Sequence, residues 1–168
     1  MWRSRAAAMV SGVLLTDASI HVYWLTGATW PARDPHSLSL AVLNVDVPFT
    51  PPVLVPLVVS LVGAAACVWL STRAVPGSWG RIAAAGTYAV AAGLLVRGAA
   101  GLVWSLGIGA DRAMPFYWLN LVLYTPLCLA LGTAALLVAR DGARGSVPPG
   151  ARRRPPSPRR MADFLRDR

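Results

Sequence analysis

The chain has 168 residues, of which 55% are hydrophobic and only 14% charged. Soluble domains carry about 25% charged residues, so this composition argues against a soluble enzyme of ordinary type. The sixteen basic residues are all arginine and the seven acidic residues are all aspartate, giving a formal net charge of +9. Any mechanism that requires a glutamate acid or a lysine nucleophile is therefore excluded.

Four apolar blocks are long enough to cross a bilayer. A helix rises about 1.5 Å per residue, so a hydrocarbon core of about 30 Å requires roughly 20 mostly apolar residues. The blocks run over residues 6–25, 53–70, 82–108 and 116–138. Together they occupy just over half of the chain and leave no room for a sizeable soluble domain. We therefore predict that residues 1–139 form an all-α, integral membrane four-helix bundle.

The placement of arginine predicts the orientation, because positive residues near span ends stay on the cytoplasmic side. With both termini inside, the cytoplasmic segments carry thirteen arginines and the opposite side carries only Arg33 and Arg112. We expect a multi-pass protein of the inner (cytoplasmic) membrane with cytoplasmic N- and C-termini. A cleaved signal peptide is the rival interpretation of the basic N-terminus and first apolar run. Thr16-Asp17-Ala18 is a poor cleavage site, so we favour a first span.

The connection over residues 26–52 is the longest, and its five prolines make a continuous helix improbable. Its middle, residues 38–47, is apolar enough to lie against the mouth of the bundle. It is either a lid over a cavity or, as we favour, an interfacial loop that covers helix ends. The other two connections are short turns, which place neighbouring spans antiparallel.

Beyond position 139 the chain becomes basic and rich in proline. Such a run cannot bury a core, so we predict that residues 140–168 form a disordered basic cytoplasmic tail. The tail is either a topology anchor or a surface for anionic lipid of the inner leaflet, worth on the order of 1 kcal/mol per arginine. No aromatic residue lies within the run to stack on bases, so we expect no nucleic acid partner. The candidate lipid-surface residues are Arg152, Arg153, Arg154, Arg159 and Arg160.

Three ionisable residues lie within the predicted spans, where a charge at the bilayer centre costs about 2.5 to 3.5 kcal/mol. Asp17 and His21 are four apart and share one face of the first span, and Arg97 lies in the third. Counting about 1.5 Å per residue places them in the same layer as Asn120 and Tyr124 of the fourth span. We predict one buried polar cluster of these five residues in the outer half of the bundle, with Arg97 paired to Asp17.

Three interpretations of this cluster stay open. A structural role, in which the Asp–Arg pair fixes helix register, is favoured over a ligand or substrate pocket, and both over a proton or ion path. Small residues recur at intervals of four on the face of Arg97, so this face should meet protein rather than lipid. They are Ala85, Ala89, Gly93 and Gly101. Pro126 interrupts the fourth span, frees a backbone carbonyl and should bend the helix.

The chain lacks clustered metal ligands. Cys67 and Cys128 are the only cysteines and lie in different spans, and His36 is the only histidine besides His21. No phosphate-binding loop, dinucleotide fingerprint or nucleophile elbow is present. We expect no metal and no cofactor, and an enzyme is the less favoured interpretation.

Two segments resemble a bacterial family of small four-span integral membrane proteins catalogued as a domain of unknown function. The likeness rests on His21-Val22-Tyr23-Trp24-Leu25-Thr26-Gly27 and on Leu123-Tyr124-Thr125-Pro126-Leu127-Cys128-Leu129. It extends over residues 8–138 and implies the same four-span architecture. In that family an arginine of the third span corresponds to Arg97, whereas the acidic residue usual near the start of the last span is replaced here by Asn120. The resemblance implies no reaction.

We therefore expect a non-enzymatic membrane module that binds a lipid or protein partner through its apolar surface and arginine tail. The expected partners are membrane lipids and a membrane protein or a second copy of the chain. One alternative is a membrane-embedded enzyme or small-ligand binder, in which His21 exchanges protons, Arg97 holds an anionic group and Tyr124 orients the substrate. Another is a transporter subunit, which would need oligomerisation because four short helices enclose little volume.

Overall fold

The structure, a computed structural model, describes residues 1–73 and 75–145. The regular secondary-structure elements in this part of the chain are helices. Four stretches in this part are long and apolar enough to cross a membrane, the last running continuously over Pro115–Gly142. The predicted all-α membrane four-helix bundle is thereby confirmed. In chain order the elements are α1 (Trp2–Leu25), α2 (Pro35–Leu43), α3 (Pro51–Ser71), α4 (Gly77–Ser105), α5 (Pro115–Leu119), a π turn (Asn120–Tyr124) and α6 (Thr125–Gly145).

The long helices form an up-down-up-down ring in the order α1, α3, α4, α6. Arg3 at the start of α1 donates a hydrogen bond to the carbonyl of Ser71 at the end of α3, so these two helices are antiparallel. Both α1 and α4 pack on α3 and α6 but scarcely touch each other, which makes them diagonal neighbours. We call the end that holds Met1 and Gly145 the termini end, and the opposite end the loop end.

Small apolar side chains fill the half of the bundle nearer the termini end. At Gly86 of α4, an added methyl would lie 2.5 Å from the sulfur of Cys67 on α3, so only glycine permits this approach. Close backbone contact of this kind is how membrane helices gain packing energy without a hydrophobic driving force. The buried side chains here are Ala7, Val10, Leu14, Ala65, Val68, Ala91, Leu131, Ala135 and Val138.

The predicted small-residue stripe on α4 is not the face that packs. Ala85, Ala89 and Gly93 are exposed, while Gly101 is buried. Positions four apart drift about 40° around a helix at each step, so Ala85 and Gly101 face directions about 160° apart. The buried face of α4 follows the helical period instead and consists of Ala83, Thr87, Ala91, Gly98 and Gly101.

Two predicted boundaries move. Helix α4 ends at Ser105 rather than at Ile108, because Gly107 and Gly109 in the following turn adopt φ of +84° and +74°, which leaves the helical region. At the other end of the sequence, α6 continues to Gly145, so the predicted tail starts too early at position 140. The remaining tail lies outside the described residues, as do its candidate lipid-surface arginines, Arg152, Arg153, Arg154, Arg159 and Arg160.

The long first connection contains a nine-residue helix, α2, which a proline begins rather than breaks. The Asp34 carboxylate accepts a hydrogen bond from the backbone N–H of Ser37 at 2.8 Å, and the Ser37 hydroxyl accepts one from the N–H of Asp34 at 3.3 Å. Pro35 occupies the first helical position, where its missing N–H has no consequence. The hydrogen bond from the Ser37 N–H holds the pKa of Asp34 below its usual range.

Helix α2 packs over the loop end of the bundle. Its buried Leu38 contacts Trp24 of α1 and Leu54 of α3 in a small apolar cluster. The fully buried Ser39 hydroxyl donates to the carbonyl of Val45 and accepts from the N–H of Val47, both at 2.7 Å, and this fixes the returning chain. The middle of the connection therefore lies against the mouth of the bundle, as predicted, and roofs the groove described below.

Candidate functional site

Arg97 of α4 is held by neutral groups. Its Nη1 donates a hydrogen bond to Oδ1 of Asn120 at 3.1 Å, and its guanidinium lies 4.8 Å from the ring centre of Trp104 and 5.7 Å from that of Tyr124. Aromatic faces attract a cation through their negative quadrupole, more strongly where water is excluded. Among the described residues no carboxylate lies within 4 Å of Arg97. The charge is therefore shared between one amide and two aromatic faces.

The predicted pairing of Arg97 with Asp17 is wrong. Asp17 belongs to α1 and Arg97 to α4, and these helices are diagonal in the ring, so the side chain of Arg97 meets the π turn on its neighbour instead. Equal depth in the membrane is thus not enough to bring two side chains together. The predicted single cluster separates into an Arg97–Asn120 part between α4 and the π turn, and an Asp17–His21 part on α1.

Asn120 uses its whole hydrogen-bonding capacity inside the protein. Its Nδ2 donates to the carbonyl of Gly101 at 2.9 Å and faces the hydroxyl oxygen of Ser105 at 3.4 Å, while Oδ1 accepts from Arg97 and from the Thr125 hydroxyl at 3.2 Å. The residue is completely buried. A fully bonded buried amide has no free donor or acceptor for a ligand, so Asn120 connects helices and does not bind a ligand.

The π turn is what brings Asn120 to this position. The N–H of Thr125 bonds to the carbonyl of Asn120, five residues back, immediately before Pro126, whose ring nitrogen has no hydrogen to donate. The turn inserts one extra residue into the last span directly before Pro126, and such turns recur at functional sites. The predicted disturbance at Pro126 therefore takes the form of a π turn, and it sets the directions of both Asn120 and Tyr124.

His21 and Asp17 are joined through one ring nitrogen. The Nδ1 of His21 lies 2.8 Å from the backbone carbonyl of Asp17 and 3.5 Å from its carboxylate. A carbonyl can only accept, so Nδ1 carries a proton, and Nε2 is then an acceptor in the neutral form of the ring. The edge of the Trp24 ring, with its centre 4.9 Å away, holds the imidazole in place. No hydrogen bond to Nε2 comes from any described residue.

A groove of about 1070 Å³ opens between α1, α2 and the start of the last span. Asp17, His21 and Tyr124 line it, and Arg33 of the long connection stands at its loop end. The Tyr124 hydroxyl has no hydrogen bond within the described part of the chain, and the Asp17 side chain is half exposed. The walls are otherwise mainly apolar, formed by Ile20, Trp24, Leu38, Val42, Leu119 and Leu123.

Tyr124 separates the two polar parts. Arg97 does not line the groove, yet its guanidinium lies near the ring of Tyr124, whose other surroundings belong to the groove. Of the five residues predicted as one cluster, three face the groove and two are enclosed behind it. No group of three or more potential metal ligands occurs within the described residues.

Sequence reasoning missed the partners that complete the enclosed part, namely Trp104, Ser105 and Thr125. Only the Pro126 that follows Thr125 hinted at the π turn. It also missed α2, although Asp34 followed by Pro35 and Ser37 is a helix-start signal that the sequence contains.

Comparison with known proteins agrees with this architecture. A family model described as "Protein of unknown function (DUF3995)" matches residues 14–135, which include all four long helices in whole or in part and both polar groups. Neither the curated proteins nor the solved structures gave a match. The match spans well over half of the chain, and the protein is therefore a four-span member of the DUF3995 family.

Proposed function

We propose that the chain is a non-enzymatic membrane module that holds a lipophilic molecule bearing a hydroxyl or carbonyl group in the groove beside Tyr124. The observation that carries the proposal is a pair of polar atoms without partners among the described residues: the hydroxyl of Tyr124 and Nε2 of His21. Both belong to residues that line a mainly apolar groove. In such surroundings an unpaired polar atom is costly, so a ligand that bonds to it is favoured.

The groove has the size and position that such a ligand needs. Its volume of about 1070 Å³ lies just above the range of about 300–1,000 Å³ that is usual for small-molecule sites. His21 and Asp17 stand four and eight residues before the end of α1 at Leu25, which places them about 6 and 12 Å below the loop end. A ligand that enters from the lipid would bury its chain along the apolar walls and bring its polar group to this depth.

Each polar residue has a distinct part in this proposal. The Tyr124 hydroxyl donates to a ligand oxygen, and Nε2 of neutral His21 accepts from a ligand hydroxyl. Arg97 acts through Tyr124 as a positioning residue, because its guanidinium fixes the ring that carries the hydroxyl. The Asp17 carboxylate is 3.5 Å from Nδ1 of His21, while the backbone carbonyl is at 2.8 Å.

The lipid and protein partners predicted from the sequence belong to this proposal. We propose that the arginine tail attracts anionic lipid of the inner leaflet, and that a membrane protein or a second copy of the chain packs on the lipid-facing helices. Strongly exposed apolar side chains on α3 and α4, such as Val59 and Val96, are consistent with a lipid or protein environment.

The groove can be tested with hexadecanol that carries a photoreactive diazirine in mid-chain. The full chain in detergent is labelled at several probe concentrations, and intact mass measures the labelled fraction. Tyr124→Phe removes only the hydroxyl, and we expect its apparent affinity to fall about fivefold to tenfold, the value of one buried hydrogen bond. Tyr88→Phe is the matched control, because Tyr88 of α4 lies away from the groove and should label like the parent.

The histidines provide a second matched pair. His21→Gln should lower labelling, whereas His36→Gln, which alters an exposed histidine of α2, should not. If the parent, Tyr124→Phe and His21→Gln are labelled equally, the probe occupies the groove without bonding to either polar side chain. That result would contradict the proposal.

A further inference from the structure

Three arginines converge at the termini end, remote from the groove. Arg3 of α1, Arg73 of the connection after α3 and Arg81 of α4 line a pocket of about 680 Å³. The other described residues of the lining are mostly small or apolar, and none of them is acidic. They include Ser71, Thr72, Val75, Gly77, Gly80 and Ala139.

One of these arginines has a donor to spare. Arg3 donates through Nη2 to the carbonyl of Ser71, whereas its Nε is enclosed and has no acceptor among the described residues. An enclosed donor without an acceptor is unfavourable, and a charged donor more so. The guanidinium of Arg73 lies 5.0 Å from the ring centre of Trp69, and this cation–π contact holds the side chain beside the pocket.

The start of α4 adds to the positive potential. Its N-cap, Pro76, provides no side-chain acceptor for the N–H groups of the first turn, and Gly77 and Gly80 of that turn line the pocket. The N-terminus of a long helix carries a partial positive charge and open N–H donors, which together attract anions. Three guanidinium groups and a helix start thus face one space, and the described residues that line it include no carboxylate.

We infer that this pocket binds a phosphate group, which a phospholipid headgroup or a free phosphate could supply. Guanidinium groups bind phosphate oxygens through paired hydrogen bonds, and three of them line this pocket. The pocket lies where α1 and α4 begin and α3 ends, at the level where apolar spans meet the headgroup layer. Basic pockets between membrane helices at this level bind anionic headgroups. The inference does not depend on the groove.

Two probes distinguish the sources of the phosphate. Native mass spectrometry of the full chain titrated with phosphatidylglycerol or phosphatidylcholine measures the lipid arm, and thermal unfolding with inorganic phosphate measures the free-anion arm. We expect the parent to prefer phosphatidylglycerol. Arg73→Ala and Arg81→Ala should each weaken its binding about fivefold, because a basic residue near anionic lipid contributes about that factor. Neither substitution breaks the hydrogen bond between Arg3 and Ser71.

Arg5→Ala and Arg112→Ala are the matched controls, because each removes one positive charge that does not line this pocket. They should bind phosphatidylglycerol like the parent. Stabilisation by inorganic phosphate that Arg81→Ala abolishes, without any lipid preference, would support the site and assign it to free phosphate. Equal weakening in the controls and in Arg81→Ala would overturn the inference, as would a parent that responds to neither probe.

Discussion

Arg97 donates a hydrogen bond to the side-chain oxygen of Asn120 at 3.1 Å, across the interface between α4 and the π turn. This bond joins Arg97, which lies in the interior of α4, to a neutral amide, and Asp17 and His21 face the groove. A membrane helix tolerates such a cation because protein groups replace its water. Arg97 therefore has a structural role, and Asp17 and His21 are polar groups of the groove.

Loss of the Asn120 side chain should destabilise the bundle. Asn120→Ala removes the hydrogen-bond acceptor of Arg97 and one of the donors to the carbonyl of Gly101, and we expect a loss of about 1 to 2 kcal/mol in the free energy of unfolding. Thermal or denaturant unfolding in detergent measures it. Asn44→Gly is the control, because it removes an amide that bonds to Gly109 between exposed loops and glycine suits the φ of +61° at this position, so its effect should be smaller. Equal losses would show that the buried network has no special weight.

The closeness of α4 and α6 makes a sharp prediction for two glycines. In Gly101→Ala the new methyl would overlap the hydroxyl of Thr125 and crowd Oδ1 of Asn120, so we expect a loss of about 1 to 3 kcal/mol. Gly93→Ala places the same methyl in open space on the same helix, and it should be neutral or stabilising by up to about 1 kcal/mol. Unfolding of the two variants in parallel provides the comparison, and the reverse order of stability would refute the packing described here.

Helix α2 should lose its N-terminal cap in acid. Because the folded-state pKa of Asp34 is below its usual value of 3.8, the cap stabilises α2 fully above that value and its contribution disappears as the pH falls through the folded pKa. Hydrogen exchange of the Ser37 amide, corrected for its intrinsic rate, should show greater protection in the parent than in Asp34→Ala at pH 6, and this difference should shrink as the pH is lowered below 3.8. A difference that persists unchanged in acid would contradict this cap.

The orientation predicted from the arginines is open to direct test. A reporter that is active only in the cytoplasm should be active when fused after Arg168, because most arginines lie at the termini end. The same reporter inserted after Arg33 should be inactive. Activity in the opposite pattern would invert the topology, although it would leave the helix packing unchanged.

Hydropathy was sufficient to predict the spans because each of them is a long apolar run with a physical length requirement. The side-chain pairing was harder, as Arg97 shows. Its depth could be counted along the sequence, but its partner depends on which helices are neighbours, and the first and third helices of an up-down ring are diagonal. The two short connections make α4 the neighbour of α3 and of the last span, which leaves α1 diagonal to α4 in a ring of four. The separation of Arg97 from Asp17 could therefore be predicted from the sequence.

The π turn and the roof of the groove were less accessible to sequence reasoning. Pro126 predicts an interruption of the last span. Whether the interruption is a bend or a π turn depends on the hydrogen bonds that Asn120 makes with Arg97 and Gly101 across the interface. The capping box at Asp34 and Ser37 was readable, and the five prolines around it concealed the helix that it begins.

The peptide position of the photolabel tests the groove most directly. After labelling with the diazirine alcohol, digestion and sequencing by mass spectrometry should place most of the label near Ile20 and Leu123, on facing walls of the groove. Val59 and Val96, which are more exposed but lie on other faces, should carry little. Label spread over all four helices in proportion to exposed apolar surface would contradict a binding groove.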